Sequence, residues 1–213
     1  GLGVELADQA EIAEAMGFDS FWLPENHFTG PAAIPSPLML LAAIASRTSR
    51  IRLGSTSYLL PIRNPILAAE EVAVLDRLSG GRVILGIGRG FQDSMFKIFN
   101  IPTKQKRAIF RENLDTMISA WRGEPIERHD GQELFLSPLP VQQPYPPLWV
   151  AAFGPLAIKQ AGQLGLPYIA SPVESLTSLQ TNIEQHRQHA AEAGHVEIST
   201  TPIMRTVFVT DDS

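Results

Sequence analysis

Apolar positions recur at helical spacing from Leu6 through Ala7, Ala10, Ile12, Ala13 and Met16, and Gly17 follows as a cap. The short apolar run at 18–23 reads as a buried strand. Ser36 stands as N-cap and Pro37 as first residue of a second helix, which runs through Leu38, Leu41, Ile44 and Ala45. A strand is predicted over 51–60. Pro65 opens a third helix through Ala69, Val72, Leu75 and Leu78, and Gly80-Gly81 ends it. A strand at 83–87 leads into a glycine-rich loop, and a long helix covers 104–121. Residues 123–147 hold six prolines and cannot be one regular element; they read as an excursion with a short hairpin around Asp130-Gly131. Strand 148–152, helix 155–164, strand 167–170, helix 175–193 and strand 203–209 complete the pattern.

Strand and helix alternate throughout, and the strands are short and apolar on both faces. That is the signature of parallel strands joined by helical crossovers, an α/β fold. About six βα units are expected, against the eight of a closed (β/α)8 barrel, with a doubly wound open sheet as the competing architecture. No break in composition divides the chain, so residues 1–213 read as one domain. The chain has 213 residues, 44% of them hydrophobic and 18% charged, which describes a chain able to fold around a core rather than a disordered one. Its formal net charge of −5 argues against nucleic-acid binding. The absence of cysteine removes disulfides, thiolate metal sites and thiol nucleophiles. No run of about 20 apolar residues suggests a membrane-spanning helix. Residues 1–14 lack the features of a signal peptide, so a cytoplasmic location is expected.

Three clusters could carry chemistry. Glu25, Asn26 and His27, followed by Phe28, come directly after a strand, where α/β folds place their sites. A carboxylate, an amide and an imidazole there can bind a polar ring or move a proton; equally, Glu25 and His27 can simply pair and cap the loop. Gly86, Gly88 and Gly90 alternate around Ile87 and Arg89, so the backbone can approach a ligand while Arg89 offers a fork for a phosphate. The third glycine comes one residue too early for the dinucleotide fingerprint, and the following segment reads as loop rather than helix. The same glycines could be no more than a tight turn. Ser79-Gly80-Gly81-Arg82 reads as a helix stop, with Arg82 pairing to Glu70, Glu71 or Asp76. His186 and His189 stand three apart on a late helix, and a solvated face suits them better than a metal; His129 and His195 fall in loops. No metal motif is present.

Taken together, the segments resemble the bacterial luciferase-like flavin monooxygenase family. The resemblance rests on residues 17–22 running into Glu25-Asn26-His27-Phe28, on 45–54, and on Leu60-Pro61 with Asn64-Pro65. It continues through Ala69-Glu70-Glu71 and 75–82, the glycine loop at 86–90, and the prolines at 144–147. It implies a TIM barrel that holds reduced FMN at the carboxyl ends of its strands and acts with O2 on a small organic substrate, with a separate flavin reductase as a partner. The deazaflavin F420 is the alternative cofactor, for hydride transfer, and a non-enzymatic flavin-binding role is a further alternative. Carried over by position, Gly88, Arg89, Gly90 and the backbone near Phe91 bind the phosphate. Ser55, Thr56 and Ser57 line the ring, with a cis bond expected at Thr56–Ser57, and Glu70 is a structural support. Asn26 stands where luciferase has its catalytic histidine, which leaves His27 as the imidazole. Phe153, Gly154 and Pro155 replace polar phosphate ligands, so backbone N–H groups near Gly154 would serve. The family's opening strand and its closing strand and helices have no counterpart here, so the barrel is expected to be incomplete at both ends. A homodimer could use the helix faces at 38–45 and 66–75, which could equally be buried against the sheet.

Overall fold

A glycine beneath a tryptophan sets the spacing at the start of the sheet. In a computed structural model, which describes residues 2–195, 198 and 200–210, β1 (Ser20–Leu23) lies parallel to β2 (Arg52–Ser55). Trp22 lies across Gly54, where a Cβ would fall 2.1 Å from the indole ring. The chain divides into two compact units, Gly1–Pro147 and Leu148–Ser213.

The first unit opens with α1 (Leu2–Ala15), ended by Gly17 in the left-handed region. After β1 come α2 (Pro37–Ala45), β2, β3 (Tyr58–Leu59), α3 (Pro65–Ser79) and β4 (Val83–Gly88). The strand expected over 51–60 is thus two strands. β2 pairs with the first half of β4 and β3 with the second, at Tyr58–Ile87 and Leu59–Gly88. Between them the Thr56 N–H turns back to the Leu23 carbonyl, and a short 3-10 turn, Leu60–Ile62, replaces the expected strand end. All six residues of β4 are buried.

Helix ends follow the sequence closely. Asn64 caps α3 by accepting from the Ile66 and Leu67 N–H groups, and Gly80 ends it at φ 69°. Arg82 does not pair with an acid as expected. Its guanidinium donates from Nε to the Ser79 carbonyl, from Nη1 to Thr48 Oγ1 and the Ile51 carbonyl, and from Nη2 to the Ala45 and Thr48 carbonyls. All five donors are used, and they tie the ends of α2 and α3 to the start of β2. Asp76 is buried and accepts instead from the Gln142 backbone and side-chain amides.

The glycine loop after β4 leads into a helix, α4 (Asp93–Ile98), where a loop was expected. The long helix follows as α5 (Lys106–Trp121), and Trp121 Nε1 donates to the Ala69 carbonyl at 3.0 Å across the core. The hairpin is present as β5 (Glu127–His129) and β6 (Gln132–Leu134), turning on Asp130 and Gly131, both at positive φ. His129 is therefore in a strand rather than a loop. Leu38, Leu41, Ile44 and Ala45 of α2 and Ala68, Ala69, Val72 and Leu75 of α3 are buried within the unit, whereas Met39, Leu67, Val74 and Leu78 are exposed.

In the second unit β7 (Leu148–Ala151) pairs in parallel with β8 (Tyr168–Ile169), and α6 (Pro155–Gln163) packs on α7 (Leu176–Glu192). Gly162 permits that approach: a Cβ there would meet the His186 carbonyl oxygen at 2.7 Å. His186 is buried, not solvated; its Nε2 contacts the Leu166 carbonyl at 2.8 Å, and burial lowers its pKa. The strand expected over 203–209 reduces to one bridge, Ala170 with Ile203; beyond it Val207, Phe208 and Val209 are exposed and form no ladder.

Glu14, at the end of α1, anchors the turn into β2. Its carboxylate accepts from the N–H groups of Ser49, Arg50 and Ile51, and these bonds hold its pKa down at about 2. The folded pKa lies below the unfolded value, so the stabilisation is complete above the normal carboxylate range and is lost as pH falls towards 2. Glu14→Gln should therefore lower stability by about 1 kcal/mol at neutral pH, given how exposed the carboxylate is. Urea unfolding of both proteins across pH 7 to 3 should show the gap narrowing on acidification.

Candidate active site

The carboxyl ends of β1, β2, β3 and β4 in the first unit bring most of the candidate residues to one region. β1 delivers the chain to Glu25, whose side chain has no exposed surface. Its Oε1 accepts from Arg63 Nη2 at 2.8 Å and contacts His27 Nε2 at 2.7 Å; its Oε2 accepts from the Leu59 N–H at 2.9 Å. Three donors around one carboxylate are what an ionised buried acid requires. Arg63 is held in turn. Its Nη1 donates to the Leu59 carbonyl, its guanidinium stacks 3.7 Å from the centre of the Tyr58 ring, and its own carbonyl accepts from Asn113 of α5.

His27 is buried apart from a narrow exposed edge, with Phe99 edge-on at 5.1 Å between ring centres. Phe28, at φ 60°, is exposed beside it. Asn26 is occupied with its own loop: its Oδ1 accepts from the Ile34 N–H at 2.7 Å and from Thr29 Oγ1 at 3.1 Å. His27, Ser36, Tyr58, Arg63, Glu71 and Phe99 line a cleft of about 300 Å³. Across it the Tyr58 hydroxyl donates to Glu71 Oε2 at 2.8 Å; burial, with Glu71 beside it, pushes the Tyr58 pKa up. Glu70, the neighbouring acid on α3, is half-buried.

The residues carried over to a cofactor sit along the strand ends. Ser55 is buried and donates from Oγ to the Gly86 carbonyl at 2.9 Å. The Thr56–Ser57 bond is cis. Gly88 faces Ser57 so closely that a Cβ would stand 2.0 Å from Ser57 Oγ. Gly90, at φ 73°, leaves room for Met95 and Phe96. The bare backbone of the glycine loop thus accommodates the protein's own side chains. Phe91 is 84% exposed. Arg89 is half-buried and has no hydrogen-bond or ion-pair partner among the described residues. Burial pushes its pKa down, and the nearby positive charge of Arg107, on α5, pushes it the same way. A half-buried guanidinium that feels a second positive charge and has no carboxylate partner can accept an anion. Gly154 lies in the second unit as N-cap of α6, at φ 82° with open space around it.

Arg63, Tyr58, Glu71, Phe99 and Arg107 were not singled out from sequence. Arg63 carried a signal, a lone cation inside the apolar stretch Leu60-Pro61-Ile62-Arg63-Asn64-Pro65. Arg107 lies 18 positions beyond Arg89 in a run of basic residues, and nothing local sets it apart. Among the described residues no group of three or more His, Asp or Glu could hold a metal, and no helix is long and apolar enough to cross a membrane.

A family model for luciferase-like monooxygenases matches residues 4–213. The 4-hydroxyprotoasukamycin monooxygenase of Streptomyces nodosus is 32% identical over 209 residues, 90% of this chain and 56% of that protein. The oxygenase component of a flavin-dependent trigonelline monooxygenase from Acinetobacter baylyi is 29% identical over 176 residues, 79% of this chain and 48% of its own length. The chain spans about half the length of these curated relatives. Among solved structures, the monooxygenase RslO1 from Streptomyces bottropensis superposes with a TM-score of 0.82 at 27% identity, over 94% of this chain and 63% of that one. Two further structures, below 25% identity, share the fold. The oxygenating constituent of 3,6-diketocamphane monooxygenase from Pseudomonas putida, in complex with FMN, has a TM-score of 0.77 over 92% of this chain and 58% of that one. An F420-dependent secondary alcohol dehydrogenase has 0.76 over 94% and 63%.

The contact between Gly88 and Ser57 can be tested directly. Gly88→Ala should destabilise the protein by about 1–3 kcal/mol through overpacking. Ser57→Gly in the same chain should recover much of that loss in urea unfolding, whereas strictly additive effects would show that another contact is responsible.

Proposed function

Because the chain belongs to the luciferase-like monooxygenase family, we propose that the protein is an oxygenase that uses reduced FMN and O2 on a small organic substrate, with a separate flavin reductase supplying the FMN. The observation that carries this reading is Arg89, half-buried just after β4 with no acid to neutralise it and within the field of Arg107 on α5. FMN, present in the complex of the 3,6-diketocamphane monooxygenase constituent that shares the fold, carries a phosphate, and that is the anion assigned to Arg89 in this reading. The donor set fits a phosphate, since guanidinium forks match its oxygens.

In this reading Arg89 and Arg107 hold the phosphate, and Ser55, Thr56 and Ser57 form the strand-end wall against which a flat ring would lie. Bound reduced FMN supplies the electrons that activate oxygen. The chain's own part is to position and to move protons. Asn26 fixes the loop after β1, Glu25 holds the imidazole, and His27 exchanges a proton with the substrate beside the cleft. Phe99 and Phe28 keep that imidazole in apolar company and limit water around it. F420 is the alternative cofactor, favoured by the fold shared with F420-dependent proteins.

Arg89→Ala should weaken FMN binding by about 1.5–3 kcal/mol, as the loss of a charged hydrogen bond does, and Arg107→Ala should act in the same direction. Riboflavin, which has the same ring system without phosphate, should bind both variants as it binds the native protein. Flavin fluorescence titrations separate these outcomes. Equal FMN affinity in native protein and variants would remove the arginine pair from the site, and tight binding of F420 without FMN binding would exchange the cofactor.

A further inference from the structure

We propose that Arg63 and Glu25 lock His27 into one tautomer, so that its Nδ1 faces the cleft as a fixed hydrogen-bond acceptor and selects ligands that carry an O–H or N–H donor on an apolar body. Glu25 Oε1 lies 2.7 Å from His27 Nε2 and already accepts from Arg63. A carboxylate that accepts from a guanidinium and a backbone N–H offers the ring only lone pairs, so the proton of the neutral ring belongs on Nε2. Nδ1 then carries the lone pair. It makes no hydrogen bond among the described residues, yet it is not sealed from solvent, and the ring lines the 300 Å³ cleft.

Most other polar groups of the cleft already have partners, although the Ser36 hydroxyl caps no helix N–H and Glu71 uses one carboxylate oxygen. Tyr58 donates to Glu71, Arg63 is spent on Glu25 and the Leu59 carbonyl, and Asn64 caps α3. Pro35, Ile62, Leu67, Ala68 and Phe99 supply the apolar wall. A ligand in this space therefore finds hydrophobic surface and a few acceptors, among which His27 Nδ1 is the one on a ring held by a buried carboxylate. Arg63 acts through Glu25, as the cation that holds its carboxylate in place.

This ligand class rests on reading the His27 loop as part of the active site, but its test needs no flavin. Nitrogen-15 NMR of the native protein above the imidazole titration should show His27 protonated on Nε2 and bare on Nδ1. Phenol should shift the Nδ1 resonance and bind about ten-fold tighter than anisole, which has the same ring but no donor, a gap that matches one hydrogen bond. Glu25→Gln, whose amide can present either a donor or an acceptor, should mix the tautomers, and Arg63→Lys should do so to a smaller extent. A neutral ring protonated on Nδ1 in the native protein, or equal affinity for phenol and anisole, would overturn the proposal even where the variants fail to fold. FMN binding measured on the same sample keeps the two readings apart: normal flavin binding with the wrong tautomer removes this inference alone, and the right tautomer without flavin binding removes the cofactor assignment alone.

Discussion

A carboxylate with no exposed surface must find all its donors inside the protein, and Glu25 finds three. Loss of any one would leave a buried charge poorly compensated, at a cost of several kcal/mol. The loop after β1, the N–H at the end of β3 and the guanidinium that follows it are therefore fixed relative to one another. Arg63 extends the constraint through its stacking on Tyr58 and the Asn113 bond to its carbonyl. The cleft owes its shape to this chain of dependencies, because three of its polar walls, His27, Tyr58 and Arg63, are each held by a neighbour rather than by solvent.

Close approach between strands is the second constraint, and it revises the meaning of the glycines. A glycine-rich loop after a strand suggests a cradle left bare for a ligand. Here the space beside Gly88 is taken by Ser57, that beside Gly90 by Met95 and Phe96, and that beside Gly54 by Trp22. The glycines exist so that β3, α4 and β1 can close on β2 and β4. The side chain that this packing leaves without a partner is Arg89, just after β4, within the field of Arg107 on α5.

The alternation of strand and helix was legible because each crossover carries its own punctuation. Asn64-Pro65 starts α3, Gly80-Gly81 stops it, and Asp130-Gly131 turns the hairpin. The failures share a cause, which is tertiary contact overriding local pattern. The run at 51–60 begins and ends on apolar residues around Ser55-Thr56-Ser57, and nothing in it tells that β4 will accept its two halves at different positions. The helix after Gly90 is short and polar, with only Met95 and Phe96 buried. The run at 203–209 has strand composition but only one bridging residue pair. His186 looked solvated among polar neighbours because the glycine that admits it, Gly162, lies 24 positions away on another helix. In the site, Glu25, Asn26 and His27 were legible from their place after a strand. Their partners were not, since Arg63 and the Leu59 N–H reach Glu25 from 38 and 34 positions along the chain.

The contrast between Arg82 and Arg89 shows where sequence stops and structure must decide. Both follow glycines, both stand at the edge of β4, and burial lowers the pKa of both. Arg82 satisfies all five of its donors on backbone carbonyls and one hydroxyl, so it has nothing left to offer a ligand. Arg89 is also penalised by burial, feels the positive charge of Arg107, and has no hydrogen-bond or ion-pair partner among the described residues. Arg89 is therefore the guanidinium at this strand left free for an anion, which is why the phosphate of the proposed cofactor is assigned to it.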